Sequence, residues 1–68
     1  MNYFIIDLER TRINGLIYFW KGNRRGYTTS CSEAGEFSDE ISKEIVDSDV
    51  MGETIRIATH ELYVLNRK

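Results

Sequence analysis

The sequence contains no proline, a single cysteine and no long apolar run. The lack of proline argues against a linker or a disordered segment. Cys31 has no partner for an internal disulfide, and the N-terminus has no basic region with a cleavage site, so we expect a reducing cytoplasm. Crossing a bilayer takes about 20 consecutive apolar residues. We therefore expect no membrane association.

The overall charge is also small, with a formal net charge of −2. This balance predicts no strong attraction of the whole molecule to nucleic acid or to an anionic membrane. The 68 residues make one small domain with a thin core, because a chain of this size buries only about 60% of its unfolded surface. Dimerisation would add buried area, so we keep a homodimer as one candidate assembly.

Side chains suited to nucleophilic or acid–base catalysis are scarce. His60 is the only histidine, and we expect it to face solvent near a helix start. Cys31 lies close in sequence to Glu33 and Glu36, whose negative charges disfavour the reactive thiolate. We therefore expect no enzymatic activity.

Metal and phosphate sites are poorly represented as well. One cysteine and one histidine cannot form a structural zinc centre. The carboxylates between residues 39 and 49 lack the spacing of a calcium loop, and we interpret them as a solvated acidic face. The loop from Gly22 to Gly26 is not a phosphate-binding loop, because no lysine followed by serine or threonine closes it. We expect no metal and no cofactor.

Alternating apolar residues predict a sheet at the start of the chain. Residues 3–8 are rich in β-branched and aromatic side chains, which would face opposite sides of a strand in turn. Residues 9–12 would extend this strand to Asn14 and Gly15, the residue pair preferred in a two-residue hairpin turn. The return strand is predicted at residues 16–21.

A second turn is predicted at residues 22–26, where two glycines supply a permissive backbone. A short third strand at residues 27–30 would complete a three-stranded meander. Residues 31–35 have no clear period, and both a turn and one loose helical turn fit them.

A helix is predicted to begin after Ser38, because a hydroxyl cap is followed by carboxylates at the positive end of the helix dipole. It should end at residues 47–49 and carry an Asp39–Lys43 ion pair. Its predicted buried stripe consists of three apolar residues, Ile41, Ile45 and Val46.

Residues 53–58 alternate as a fourth strand, with Ile55 and Ile57 pointing inward and Thr54, Arg56 and Ala58 pointing outward. Thr59 is suited to cap a final helix through residue 65, although an extended ending also fits. The sequence therefore predicts an α+β fold. A three- to four-stranded, mainly antiparallel sheet carries one helix on a face and a short C-terminal element.

The most unusual feature is a cluster of aromatic and basic residues around the second turn. The predicted binding surface consists of Trp20, Lys21, Asn23, Arg24, Arg25 and Tyr27. Arg10 and Arg12 are expected beside the rings, on the neighbouring strand. Aromatic and arginine side chains dominate protein–protein contacts, and rings flanked by cations also stack on single-stranded nucleic acid. A small nucleotide-like ligand is a further alternative, and the rings could instead simply close the core. The acidic helix would repel phosphates, which makes nucleic acid the less favoured partner.

Two patterns in this region, F-W-K-x-N-x-x-G-Y-T at residues 19–28 and E-A-G-x-F-S at residues 33–38, resemble those of small uncharacterised proteins of bacteriophages and prophages. Other versions of the pattern carry proline at the position of Gly22. Glycine at this position would loosen the turn. The resemblance implies a viral or prophage origin and a host bacterial cytoplasm, and it supplies no catalytic residues. Small acidic phage proteins often bind and block a host protein, including defence enzymes. The resemblance thus implies a non-enzymatic modulator whose partner is a host bacterial protein.

Overall fold

The computed structural model describes residues 1–65, apart from the side chains of residues 24 and 63–65. It confirms the predicted α+β fold. The elements in chain order are β1 (Asn2–Asp7), α1 (Leu8–Asn14), β2 (Tyr18–Trp20), a single 3-10 turn (Gly22–Arg24), β3 (Tyr27–Thr28), β4 (Phe37–Ser38), α2 (Asp39–Ser48), β5 (Thr54–Ala58) and α3 (Thr59–Leu65).

Strand β1 is the centre of an antiparallel sheet. Strand β5 pairs with it from Tyr3 to Asp7 and so occupies one whole edge. The opposite edge is shared: β4 pairs with the start of β1, and β2 pairs with its end. Strand β3 then extends the sheet beyond β2. Because β1 contacts three strands, its side chains form the middle of the core on both faces.

The predicted alternation of β1 places apolar side chains on two covered faces. On one face, Phe4 and Ile6 pack with Phe19 and with Leu62 of α3. On the other face, Ile5 packs in a separate cluster with residues of β4 and α2, Phe37 and Ile45. The sheet therefore lies between two helices, and both faces of its central strand exclude water.

The predicted hairpin turn at Asn14 and Gly15 is wrong, because the chain forms helix α1 there. Asp7 caps this helix, and its Oδ1 accepts a hydrogen bond from the Arg10 N–H at 2.9 Å. Gly15 ends the helix in the left-handed conformation, with φ 73°, and donates its N–H to the Thr11 carbonyl at 2.9 Å. The left-handed residue that suggested a hairpin is therefore a helix C-cap.

Helix α2 begins and ends where predicted, with Ser38 Oγ accepting a hydrogen bond from the Ile41 N–H at 3.1 Å. Its buried stripe differs from the prediction, because Ile41 is 45% exposed and Ser42 is fully buried. Arg56 explains the difference: its guanidinium donates to Ser42 Oγ at 3.0 Å and to Asp39 Oδ1 at 2.8 Å. Asp39 thus pairs with Arg56 of β5, and the predicted pair with Lys43 is not formed within the described part of the chain.

Strand β5 confirms the predicted fourth strand, and α3 confirms the helical ending up to residue 65. Residues 66–68 lie outside the described residues. They end the segment for which both a helical and an extended conformation were predicted. Ile57 packs against the first core cluster, as predicted. Ile55 is 43% exposed, contrary to the prediction, and Ala58, predicted to point outward, is buried. Ile55 is exposed because β5 is an edge strand. Ala58 is buried because it lies opposite Tyr3 on the α2 face.

Candidate functional site

The predicted second turn exists and joins β2 to β3. Phe19 pairs with Thr28 and Trp20 pairs with Tyr27, and the Lys21 N–H donates to the Gly26 carbonyl at 2.8 Å. The 3-10 turn between them includes a residue in the left-handed region, Asn23, with φ 59°. Asparagine tolerates this conformation better than most residues, which explains its place at the tip.

The aromatic residues of the hairpin divide between core and surface. Phe19 is 3% exposed and belongs to the core, whereas Tyr27 on the other face is 38% exposed. Trp20 is half-buried between them: its ring meets Tyr27 edge-on at 6.3 Å and Phe37 edge-on at 6.5 Å. The Phe19 ring therefore closes the core, while the Trp20 and Tyr27 rings reach the surface.

The tip of the hairpin is cationic and exposed. Lys21, Asn23 and Arg25 all face solvent, and neither Lys21 nor Arg25 has an ion-pair partner in the described part of the chain. The side chain of Arg24 lies outside the described residues. We call the exposed residues Lys21, Asn23 and Arg25 the hairpin tip.

A neighbouring loop supports the base of the hairpin. Lys21 forms a β-bridge with Ala34, and the Gly35 N–H donates to the Trp20 carbonyl at 2.9 Å. Gly35 lies so close to Gly22 that a Cβ atom on Gly35 would be 2.5 Å from the Gly22 nitrogen. The loop thus fixes where the hairpin tip leaves the sheet, through a contact that only glycine allows.

The two arginines predicted on a strand beside the rings lie on α1. Arg10 returns to the hairpin, where its guanidinium carbon lies 3.9 Å from the centroid of the Tyr27 ring. Its Nη1 also donates to Asp7 Oδ2 at 3.5 Å. Arg12 points elsewhere and donates twice to the Glu53 carboxylate, at 2.7 and 2.9 Å. Only one of the two cations therefore joins the aromatic surface.

An open groove of about 350 Å³ lies between the hairpin and α2. Trp20 and Tyr27 line it from the hairpin. The remaining lining residues include four carboxylates, Asp7, Glu44, Asp49 and Glu53. We call this the acidic groove. Sequence analysis missed it, because its carboxylates come from β1, α2 and the segment before β5, which only the sheet topology brings together.

Asp49 of this groove is held by its own loop. Its Oδ2 accepts hydrogen bonds from the Glu53 N–H at 2.7 Å and from Thr54 Oγ1 at 2.9 Å. The Met51 N–H donates to Oδ1 at 3.1 Å. The hydrogen bond from Thr54 is the largest of the effects that hold the pKa of Asp49 below its ordinary value of 3.8. Asp49 therefore joins the end of α2 to the start of β5.

This arrangement predicts a loss of stability in acid. A carboxyl group whose pKa is lower in the folded than in the unfolded protein stabilises the fold above its unfolded pKa, and that contribution is lost as the pH falls through its folded pKa. Urea unfolding midpoints should therefore drop below about pH 4. In Asp49→Asn the midpoint should be lower at neutral pH and should change less on acidification. Asp47→Asn, an exposed neighbour on α2, is the control, and an equal flattening in both variants would contradict the assignment.

The residues considered for catalysis are separated between elements. His60 is exposed on α3, and Cys31 packs against the first core cluster, half-buried. Within residues 1–65 no three His, Cys, Asp or Glu side chains are placed to hold a metal ion. The helices of the same range are all too short or too polar to cross a membrane.

A second exposed surface is apolar. Leu16 and Ile17, predicted to begin a strand, are 59% and 49% exposed in the segment that connects α1 to β2. They line a shallow groove of about 300 Å³ together with Phe19 and Leu62. Such a surface is compatible with a homodimer, which stays a prediction.

Comparison with protein-family models, with curated proteins and with solved structures gave no match. The resemblance to phage and prophage proteins therefore stays a prediction, and the function has to be argued from the geometry of the hairpin.

Proposed function

We propose that this protein is a non-enzymatic interaction module whose hairpin tip binds another protein. The observation that carries the proposal is the exposure of Lys21, Asn23 and Arg25 on a turn that is braced from below. Exposed cations are ordinary on soluble proteins. A tip that is fixed by backbone hydrogen bonds and packed rings is less common, and it can bind without first being ordered.

The bracing matters because ordering a loop on binding costs free energy. Each immobilised flexible side chain costs about 0.5–1.5 kcal/mol, and a loop already fixed in its bound form avoids part of that cost. Here the Lys21–Gly26 hydrogen bond closes the turn, and the edge-on contacts of Trp20 with Tyr27 and Phe37 support it. The hairpin tip therefore presents its cations from a backbone of defined geometry.

The charge of the tip indicates the chemistry of the partner. Two unpaired cations favour an acidic patch, which they would also attract during diffusion. Combined with the resemblance to phage proteins, this leads us to propose a host bacterial protein as the partner, in the bacterial cytoplasm. Blocking of a host enzyme, including a defence enzyme, is the form of modulation that we favour.

Single-stranded nucleic acid is a weaker candidate because the rings do not form an open platform for base stacking. Base stacking needs open aromatic faces, but Arg10 covers one face of Tyr27 and Trp20 is half-buried. The carboxylates of the acidic groove line the same groove as both rings and would repel a phosphate backbone. A small nucleotide-like ligand meets the same repulsion.

The proposal predicts that the double variant Lys21→Ala/Arg25→Ala loses its partner while the fold is kept. Affinity purification from bacterial lysate should recover one protein with the wild-type chain. With that protein purified, the double variant should bind at least about tenfold more weakly, as expected for loss of cations at the centre of an interface. The matched control is Arg12→Ala/Lys43→Ala, which removes the same residue types away from the tip.

Equal loss in both double variants would show that general charge, and not the hairpin tip, drives the binding. A labelled single-stranded oligonucleotide provides the remaining comparison, read by fluorescence anisotropy over a salt series. Tight binding with a steep salt dependence, together with no recovered protein, would replace the proposal with nucleic-acid binding.

A further inference from the structure

We propose that the acidic groove is a second binding site, which takes an arginine or lysine side chain from a basic peptide. This inference does not rest on the function proposed for the hairpin tip, because the two surfaces carry opposite charge. The tip would contact acidic groups of a partner, whereas the groove would contact basic ones.

The aromatic wall of the groove is suited to a cation. Trp20 and Tyr27 both line the groove, and their rings stand at 90° to each other with centroids 6.3 Å apart. Cations are attracted to the faces of Trp and Tyr rings within about 6 Å of the centroid. The protein already uses this chemistry itself, because the Arg10 guanidinium lies 3.9 Å from the Tyr27 centroid.

The opposite wall supplies negative charge that the protein does not fully neutralise. Three of the four carboxylates have partners: Asp7 contacts Arg10, Glu53 contacts Arg12, and Asp49 accepts three hydrogen bonds from its own loop. Glu44 is exposed on α2 and has no hydrogen bond or ion pair with any described residue. Among the described residues, the groove lining includes no lysine or arginine. A cation entering the groove would therefore find one carboxylate without a described partner, Glu44, in the same lining as the two rings.

The combination selects a basic side chain over other ligands. The carboxylates are not grouped as metal ligands in residues 1–65, and an anionic ligand would be repelled by them. The volume of about 350 Å³ lies at the lower end of the range of roughly 300–1,000 Å³ that is usual for small-ligand sites. An arginine or lysine side chain with its flanking backbone offers both the charge and the apolar stem that such a groove can cover.

The experiment uses Trp20, the only tryptophan of the chain, as a fluorescent reporter in the groove wall. The probe is a capped peptide of three arginines separated by glycines. The control peptide replaces each arginine with citrulline, which keeps the shape and removes the charge. We expect a saturable change in Trp20 emission with the arginine peptide, which weakens as salt is raised, and no such change with citrulline.

Two variants then locate the binding. Glu44→Gln removes the unpaired carboxylate and should weaken binding of the arginine peptide by about threefold or more, the size expected for a partly solvated ion pair. Glu61→Gln makes the same chemical and charge change at an exposed position on α3, and it should bind as the wild type does. Circular dichroism confirms that both variants are folded.

Equal affinity for the arginine and citrulline peptides, or equal weakening by both variants, would overturn the proposal. A third outcome would also overturn it. In this outcome, Trp20 emission changes with protein concentration in the absence of peptide, and Lys21→Ala removes that change. The occupant would then be the tip of a second copy. Failure of the hairpin-tip proposal looks different, since Lys21→Ala/Arg25→Ala should bind the arginine peptide normally.

Discussion

Gly35→Ala is expected to remove a large part of the free energy of unfolding of this protein. A Cβ atom at this position would lie 2.5 Å from the Gly22 nitrogen, 2.6 Å from its Cα and 2.9 Å from the Lys21 carbonyl carbon. All three are backbone atoms of the hairpin, so no side chain can rotate away. Overpacking typically costs about 1–3 kcal/mol, and separating the two segments also breaks the Gly35–Trp20 hydrogen bond, worth about 1 kcal/mol.

A loss of about 3 kcal/mol or more is large for this chain, because a domain of this size has a total stability of roughly 3–10 kcal/mol. Urea unfolding followed by Trp20 fluorescence measures the loss. Gly22→Ala is the matched control, since its Cβ would meet nothing closer than 3.9 Å and the change in unfolded-chain entropy is the same. A Gly35→Ala protein as stable as Gly22→Ala would mean that the loop does not brace the hairpin.

The misassigned turn shows why local sequence was insufficient at the start of the chain. Asn14 and Gly15 carry the preference for positive φ that both a hairpin turn and a helix C-cap require. The deciding feature lies seven residues earlier, where Asp7 caps the first turn of α1. Asp7 lies within the strand predicted at residues 3–8, so its capping role was overlooked. Predicting the helix would have required weighing both ends of the segment together.

The orientation of α2 was unpredictable for a different reason. Helical spacing alone favours Ile41 as a buried residue, yet Ser42 is buried in its place because Arg56 of β5 donates to Ser42 and to Asp39. That contact joins residues far apart in sequence. Periodicity describes which residues share a face, but it does not say which polar partner a neighbouring strand will bring.

The two parts of the candidate site also differ in whether local sequence or tertiary structure determines them. The hairpin tip was predictable, because two glycines and an asparagine give a turn its chemistry within five residues. The acidic groove was not, because the segment before β5 brings Glu53 and α2 brings Glu44 to the same groove as the rings. Arg10 was expected near the rings on a strand, and it reaches Tyr27 from a helix instead. Local chemistry thus predicted the tip, whereas topology created the groove.

Phe4→Ala is expected to cost about 3–5 kcal/mol, the usual range for removing a buried phenylalanine ring. Phe4 is 1% exposed, and its ring centroid lies 5.7 Å from that of Phe19. It also lies on the one strand that pairs with three others, so a cavity there weakens the centre of the sheet. Thermal and urea unfolding should show a protein that is largely unfolded or close to it.

The control for this prediction is Leu16→Ala, which removes an apolar side chain that is 59% exposed and should change stability by less than about 1 kcal/mol. Phe4 is neither part of the hairpin tip nor one of the residues that line the acidic groove. Any Phe4→Ala protein that remains folded in the cold should therefore still bind the arginine peptide. A variant with normal stability would show that this face of β1 is not sealed by Phe4 together with Phe19 and Leu62.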